Sequence, residues 1–326
     1  MENMHLRDAQ GKPINYVRFS VTDRCNLKCF YCVPEDGICH ATQDQMLSMD
    51  EIQRTLKILH QLGVRKIRMT GGEPLARRGI GRLIRLASAM GFDDIAMTTN
   101  GVLLPKFAGL LRECGLRRVN ISLDTLHPER FTHITGVDSF KQVWEGIKAA
   151  QENGLHPIKI NAVAIKGVND DEIADFVALT RDHHISVRFI EYMPAGVPEH
   201  YNPNQFISVA QMLEQVQERF HIEPLQRETF STASMYRIIG GQGTFGFISP
   251  VSEHFCHSCN RLRITADGKI KTCLFSRHEH DFLHMLRNQS VDDATLAKYF
   301  IKVAAAKVAE NSDMYAGSRN MTRIGG

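Results

Sequence analysis

Residues 66–74 read Lys66-Ile67-Arg68-Met69-Thr70-Gly71-Gly72-Glu73-Pro74, an apolar and β-branched run that stops on two glycines. The run predicts a strand over Lys66–Thr70. The glycine pair predicts a turn whose bare backbone a ligand can approach. Taken alone, an ordinary strand-to-helix turn explains those residues as well. Upstream, Ser48-Met49-Asp50-Glu51 reads as a capping box that opens a helix to about Leu62, with Gly63 as its stop. Downstream, Gly81–Met90 reads as a helix before Gly91. The same alternation runs outward in both directions. Further strands are predicted at Tyr16–Val21, Ile95–Thr99, Arg118–Ser122, Lys159–Val163 and Val187–Ile190. Helices are predicted at Leu104–Cys114 before Gly115, at Phe140–Asn153 before Gly154, and over Asp171–Asp182 with Asn169 as its cap. Six strands alternating with helices predict a parallel α/β sheet, either a partial barrel or an open doubly wound sheet. In both, ligands gather at the carboxyl ends of the strands. Cys25, Cys29 and Cys32, then Gly71–Pro74, then Thr98–Asn100, then Ser122 and Asp124, and finally Glu191 and Met193 all fall at such ends.

Length and composition narrow the class. A chain of 326 residues suggests two domains or one large barrel with an appendage. Its 43% hydrophobic and 23% charged residues exclude a disordered or fibrous protein. A net charge of +3 is too small to predict nucleic-acid binding. No stretch is long enough for a membrane helix, and MENMHLRDAQ lacks a signal-peptide core, so a cytoplasmic protein is expected. Past about Gly196 the rhythm weakens. Pro198, Pro203 and Asn204 suggest a linker, Val209–Phe220 a helix, Ser231–Gly246 β-like pieces around Gly240-Gly241-Gln242-Gly243, and Asp292–Glu310 a last helix. The terminal SRNMTRIGG reads as a mobile tail. The expected division is a core over 9–225 and a carboxyl-terminal α+β region over 226–326.

Six of the eight cysteines cluster as Cys25-x3-Cys29-x2-Cys32 and Cys256-x2-Cys259-x13-Cys273. Local clustering in a chain that can bury its own core points to metal rather than disulfides. Each group offers three thiolates. His40, His254 and His257 lie near enough in sequence to complete a zinc site. A cubane iron–sulfur cluster fits equally, and three thiolates leave one iron open for a ligand. Cys39 and Cys114 belong to neither group; buried small apolar side chains are the simpler reading.

Arg18, Arg68 and Arg188 fall on candidate strands, and Arg261 and Arg263 alternate so that a strand points both to one face. Buried arginines need partners. Asp23, Glu73, Asp124 and Glu191 are candidate carboxylates for them, and a triphosphate is the alternative. Tyr31 could stack on a purine or pack in the core. Met193 reads as packing, and His183 and His184 as a solvated pair.

The first cysteine group, with Tyr31 before its third member, resembles the radical S-adenosylmethionine signature. Met69-Thr70-Gly71-Gly72-Glu73-Pro74 resembles that superfamily's second-strand segment. Phe255-Cys256-His257-Ser258-Cys259-Asn260-Arg261-Leu262-Arg263, Cys273-Leu274-Phe275 and the terminal Gly325-Gly326 narrow the resemblance to the GTP 3′,8-cyclases of molybdenum cofactor biosynthesis. It runs from about Tyr16 to the end. Val33-Pro34 stands where Met-Pro is common, Ala76-Arg77-Arg78-Gly79 where Leu-Arg-Lys-Asp is usual, and Cys39 is an extra thiol.

The resemblance implies a partial (β/α)6 TIM-like barrel with a carboxyl-terminal α+β region carrying a second iron–sulfur cluster. It implies a 4Fe–4S cluster on Cys25, Cys29 and Cys32 whose open iron binds S-adenosylmethionine, with cofactor contacts from Tyr31, Gly72, Ser122 and Met193. It implies a second 4Fe–4S cluster on Cys256, Cys259 and Cys273, its open iron facing the guanine of GTP. GTP contacts map to Arg18, Arg68, Thr98, Lys159, Arg261 and Arg263, with Arg18, Arg261 and Arg263 also catalytic. The implied reaction begins with reductive cleavage of S-adenosylmethionine. Hydrogen is then taken from the ribose 3′ carbon, and that carbon joins guanine carbon 8. The implied partners are an electron donor such as flavodoxin or ferredoxin and, downstream, cyclic pyranopterin monophosphate synthase; homodimer formation stays open. In such families the Gly-Gly tail reaches toward the active site. Two alternatives are a radical enzyme acting on a peptide and a zinc-stabilised binding module.

Overall fold

The computed structural model describes residues 5–34, 37, 40–195, 200–226, 229–308 and 321–325. Six parallel strands lie side by side in chain order: β1 (Tyr16–Ser20), β2 (Lys66–Thr70), β3 (Asp94–Thr99), β4 (Arg118–Ser122), β5 (Ile158–Ala164) and β6 (Ile185–Glu191). The order never reverses, as it would in a doubly wound sheet, so the architecture is the partial barrel. Helices α1 (Met49–Gln61), α2 (Ile80–Ala89), α3 (Leu104–Glu113), α4 (Pro128–Thr135), α5 (Phe140–Glu152) and α6 (Ile173–Asp182) connect them.

The period-two alternation of each strand sorts its side chains. Val17, Phe19, Ile67, Met69, Val119 and Ile121 are at most 1% exposed and join one core with helix residues such as Ile52, Leu56 and Leu83. The intervening Arg18, Arg68, Thr98, Asn120, Ser122 and Asn161 face the other way, into a cavity. Ser48 caps α1 as a full capping box with Glu51, as its sequence predicts. Gly63, Gly91, Gly115 and Gly154 all take the left-handed backbone that ends a helix cheaply only at glycine.

The carboxyl-terminal third extends both edges of this sheet. After α7 (Val209–Arg219) come β7 (Ile222–Pro224), β8 (Ala233–Ile238) and β9 (Thr244–Ile248), and β9 pairs parallel with β6. The glycine-rich turn joins β8 to β9. On the other edge β10 (Arg261–Ile264) pairs parallel with β1, followed by β11 (Lys269–Lys271) and β12 (His280–Asp281). Helices α8 (Leu283–Arg287), α9 (Asp293–Ala305) and the short α10 (Met321–Ile324) complete the chain. No helix among the described residues is long and apolar enough to cross a membrane.

Three expectations need correction, and one element was not foreseen. Residues 321–325 of the expected tail are seated rather than frayed: Ile324 is fully buried, and Gly325 offers its carbonyl oxygen to Arg263 Nη1. Asn169 caps no helix through its side chain; it accepts from Ile165 N and donates to the carbonyls of Asp124 and Val163. The last long helix ends at Ala305, and Glu310 lies outside the described residues. The helix α4 had no place in the sequence reading, and Pro128 supplies its first turn. Cys39, Pro198 and Gly326 also lie outside the described residues.

Candidate active site

The first cysteine group occupies the loop after β1. Backbone bonds shape it: Cys32 N and Val33 N both donate to Cys29 O, at 2.9 and 3.0 Å. The Gly71–Gly72 turn after β2 packs directly on this loop. Gly72 N donates to Thr22 O at 2.8 Å and Glu73 N to Arg24 O at 2.7 Å. A Cβ on Gly72 would stand 2.4 Å from Arg24 O, so the missing side chain is first of all what lets two loops touch. Arg77, at the unusual Ala76–Gly79 segment, clamps the same region by donating to Val21 O and Leu47 O.

Buried carboxylates frame the loop, without arginine partners among the described residues. Glu73 accepts from Leu75 N, Thr99 Oγ1 and Asn100 N at 2.8–2.9 Å. Burial pushes it up to about 7, against those hydrogen bonds. Asp124 accepts from Tyr31 Oη at 2.5 Å and Val163 N at 2.8 Å, and burial lifts it to about 6. Glu191 accepts from Val209 N, Val251 N and Ser252 N, tying β6 to the carboxyl-terminal region. Asp23 takes Ala41 N, with His40 3.6 Å away. The expected pairing of these four with arginines is therefore not what the fold uses; backbone amides and hydroxyls satisfy them instead.

The second cysteine group is brought alongside by β10. Cys256–Ser258 form one turn of 3-10 helix, and Cys259 N donates to Cys256 O at 3.1 Å. The chain then enters β10 in register with β1, which sets Arg261 beside Tyr16 and Arg263 beside Arg18. Cys273 follows β11. All six cysteines are partly buried and lie on the wall of a single cavity of about 330 Å3.

The same wall carries Arg18, Arg68, Arg261 and Arg263, with Tyr31, Gly72, Thr98, Ser122 and Met193. Lys159 is the exception. It sits on the strand face of Asn161 and Val163, which do line the cavity, but is not itself on the wall. Burial, then the neighbouring Arg263 and Arg68, holds Arg18 well below the usual guanidinium range. Burial likewise pulls Arg263 down to about 10, with Arg261 adding to the effect. Crowded, desolvated cations of this kind are costly unless an anion joins them. Arg68 Nε, Arg261 Nε, Thr98 Oγ1, Asn120 Oδ1 and Asn161 Oδ1 are buried polar atoms with no hydrogen-bond partner among the described residues. They fit a polar, anionic ligand.

The thiols fit iron–sulfur chemistry. Burial pushes Cys25, Cys29 and Cys32 up, and their charges oppose one another and Asp124 or Glu73. Three thiolates so placed need a cationic centre between them. Cys259 goes the other way: burial alone raises it, but Lys307, Arg261 and Arg263 bring it below the usual thiol range. Among the described residues, no three His, Cys, Asp or Glu side chains converge on a single ion, and a four-iron cubane separates its ligands more widely. Cys114, 3% exposed beside Arg85, is the packed thiol expected; His183 and His184 are exposed.

Sequence reasoning missed Asn120, Asn161, Thr232, Lys307, Met321 and Thr322 on the cavity wall. The asparagines carry a signal, being polar residues at inward positions of otherwise apolar strands. Lys307 and Thr322 carry none, because only the tertiary fold brings them in.

Comparison with known proteins decides the family. Residues 19–180 match the family described as the Radical SAM superfamily, and residues 185–313 the one described as Molybdenum Cofactor Synthesis C. The "GTP 3',8-cyclase" of Alkaliphilus oremlandii (strain OhILAs) is 43% identical over 325 residues, covering 98% of this chain and all of that one. The chain belongs to the GTP 3′,8-cyclase family. A second member, from Heliobacterium modesticaldum (strain ATCC 51547 / Ice1), is 45% identical over 98% of this chain and 99% of its own. Among solved structures, Streptococcus suis SuiB bound to S-adenosylmethionine superposes with a TM-score of 0.58. At 16% identity, covering 85% of this chain and 64% of that one, it shares the fold. Membership of this cyclase family and of the radical superfamily carries use of S-adenosylmethionine and an iron–sulfur cluster.

Proposed function

We propose that this chain converts GTP to (8S)-3′,8-cyclo-7,8-dihydroguanosine 5′-triphosphate, the first step of molybdenum cofactor biosynthesis. The single observation that carries the reading is that both cysteine trios and four arginines, one buried and three partly buried, share one cavity. A radical enzyme acting on a peptide needs no such cation cluster, and a zinc module needs no second open trio.

In this reading Cys25, Cys29 and Cys32 hold one 4Fe–4S cluster, and Cys256, Cys259 and Cys273 a second. When bound, the first cluster and S-adenosylmethionine supply an electron and a hydrogen-abstracting 5′-deoxyadenosyl group. Tyr31, Gly72, Ser122 and Met193 line the S-adenosylmethionine side. The bare Gly72 backbone lies against the cysteine loop there, and Asp124 fixes the Tyr31 ring through its hydroxyl. Arg18, Arg68, Arg261 and Arg263 bind the triphosphate, each charge-assisted hydrogen bond contributing roughly 1.5–3 kcal/mol. Thr98 and Lys159 complete the GTP contacts; Lys159 reaches the substrate from the strand face below the wall. Arg18, Arg261 and Arg263 also assist the final reduction. Holding the ribose 3′ carbon in reach of the S-adenosylmethionine side is a positioning task, and the two-sided cavity performs it. The core over 9–225, the region over 226–326, a cytoplasmic location, flavodoxin or ferredoxin as donor and cyclic pyranopterin monophosphate synthase as recipient belong to the same proposal.

The test is anaerobic turnover of the reconstituted, reduced enzyme with S-adenosylmethionine, with and without GTP. The expected result is GTP-dependent 5′-deoxyadenosine and a product isobaric with GTP. Cofactor cleavage with GTP left unchanged would contradict the substrate assignment.

A further inference from the structure

Lys307 lies just past α9, is 5% exposed, and faces the cavity. Its main chain is pinned at both ends: its N–H donates to Ala304 O at 3.0 Å, and its carbonyl accepts from Ala9 N at 3.1 Å. Its Nζ donates to Thr272 O at 2.6 Å and stands 3.7 Å from Cys259 Sγ. Neither partner is a carboxylate. An ammonium this deep is costly unless a negative charge neutralises it. Thr272 O satisfies a hydrogen bond but brings no charge. Among the described protein groups that Nζ contacts, the sulfur of Cys259 is the one able to supply it.

The first trio is built differently. Cys25 Sγ takes Leu27 N at 3.4 Å and the Asn100 amide at 3.9 Å, both neutral donors. Besides the cysteines themselves, the charges that act on these sulfurs are acidic, Asp124 and Glu73. So one trio is wrapped in neutral donors and carboxylates, the other in a buried ammonium and two guanidiniums. Positive charge and hydrogen bonds at ligand sulfurs favour the reduced state of an iron–sulfur cluster.

We propose that Lys307 is a positioning residue of the second cluster: its ammonium donates a charge-assisted hydrogen bond to the Cys259 sulfur and raises that cluster's reduction potential above the first cluster's. This deepens the two-cluster reading above and rests on it. Lysine suits the role because its ammonium reaches Cys259 and Thr272 together.

The test compares the full reconstituted chain with Lys307→Met, Lys307→Gln and Lys307→Arg. Iron and sulfide are counted, and an electron paramagnetic resonance redox titration follows each cluster. All four proteins are expected to hold about eight irons. The second potential should fall in Lys307→Met, fall less in Lys307→Gln, and stay near wild type in Lys307→Arg; the first should not move. Full iron with an unmoved second potential in Lys307→Met overturns the proposal. If Lys307→Met loses its second cluster, Lys307→Gln decides: a wild-type potential there overturns it equally. About four irons in wild type would remove the two-cluster reading and this proposal with it, a result distinct from eight irons and an unmoved potential.

Discussion

Arg261 is held from two sides: Nη2 donates to Thr232 Oγ1 at 2.9 Å, and its guanidinium lies 5.5 Å from the centre of the Tyr16 ring. Arg68 lies 5.7 Å from that same ring, so one tyrosine contacts two partly buried cations that both line the cavity. Arg261→Ala should lower kcat/KM for GTP on the order of 100-fold while iron per chain stays constant, since losing two charge-assisted bonds accounts for about 3 kcal/mol. Steady-state kinetics beside an iron assay checks this, and unaltered turnover would exclude the arginine from the substrate site. Glu73 makes a different prediction. Its folded value of about 7 lies above the usual 4.5, so its contribution is fully present below pH 4.5 and is lost as pH rises through 7. The loss is on the order of 3 kcal/mol. Urea unfolding of wild type and Glu73→Gln at pH 5 and pH 7.5 should therefore show a shallower pH dependence in the variant; equal slopes would mean that Glu73 titrates normally. At this scale the sequence is legible where a pattern exists. Arg261 and Arg263 alternate, and a strand aims both inward. The partners of Glu73 and Asp124 are not legible, because backbone amides leave no residue-type signature.

The six barrel strands are readable because each is a short apolar run, four of them (β2 to β5) after a glycine-stopped helix, and their ends fall within two residues of expectation. The helix α4 is not, since His127-Pro128-Glu129-Arg130 reads as a turn until Phe131 and Ile134 find the core. The strand β11 is too short to announce itself and exists through pairing with β10 and β12. The carboxyl terminus shows the same limit. Composition says tail, yet α10 seats Gly325 with φ +75° so closely that an added Cβ would meet Thr70 Oγ1 at 2.2 Å. Gly325→Ala should therefore expel the terminal turn and speed trypsin cleavage within 309–326 several-fold. Adding Thr70→Ala should recover only part of the protection, because the left-handed backbone still opposes alanine. Identical digestion of wild type and Gly325→Ala would show that the terminal turn is not seated there.

Across the whole molecule, chain order places the two cysteine groups more than 200 residues apart, and the sheet closes that gap through one contact, β10 against β1. Both trios thereby reach one cavity while each keeps its own electrostatic surroundings. Cys259→Ser should halve the iron content and leave S-adenosylmethionine cleavage by the first trio measurable, with GTP no longer cyclised. Iron analysis with a 5′-deoxyadenosine assay checks this, and full iron retention would contradict the grouping of cysteines. The most direct test of the account follows one hydrogen. GTP deuterated at the ribose 3′ carbon is turned over anaerobically, and the 5′-deoxyadenosine is weighed. The account predicts one deuterium transferred per cyclised nucleotide. Undeuterated 5′-deoxyadenosine beside unchanged GTP would mean that this cavity does not hold the ribose where the shared site places it.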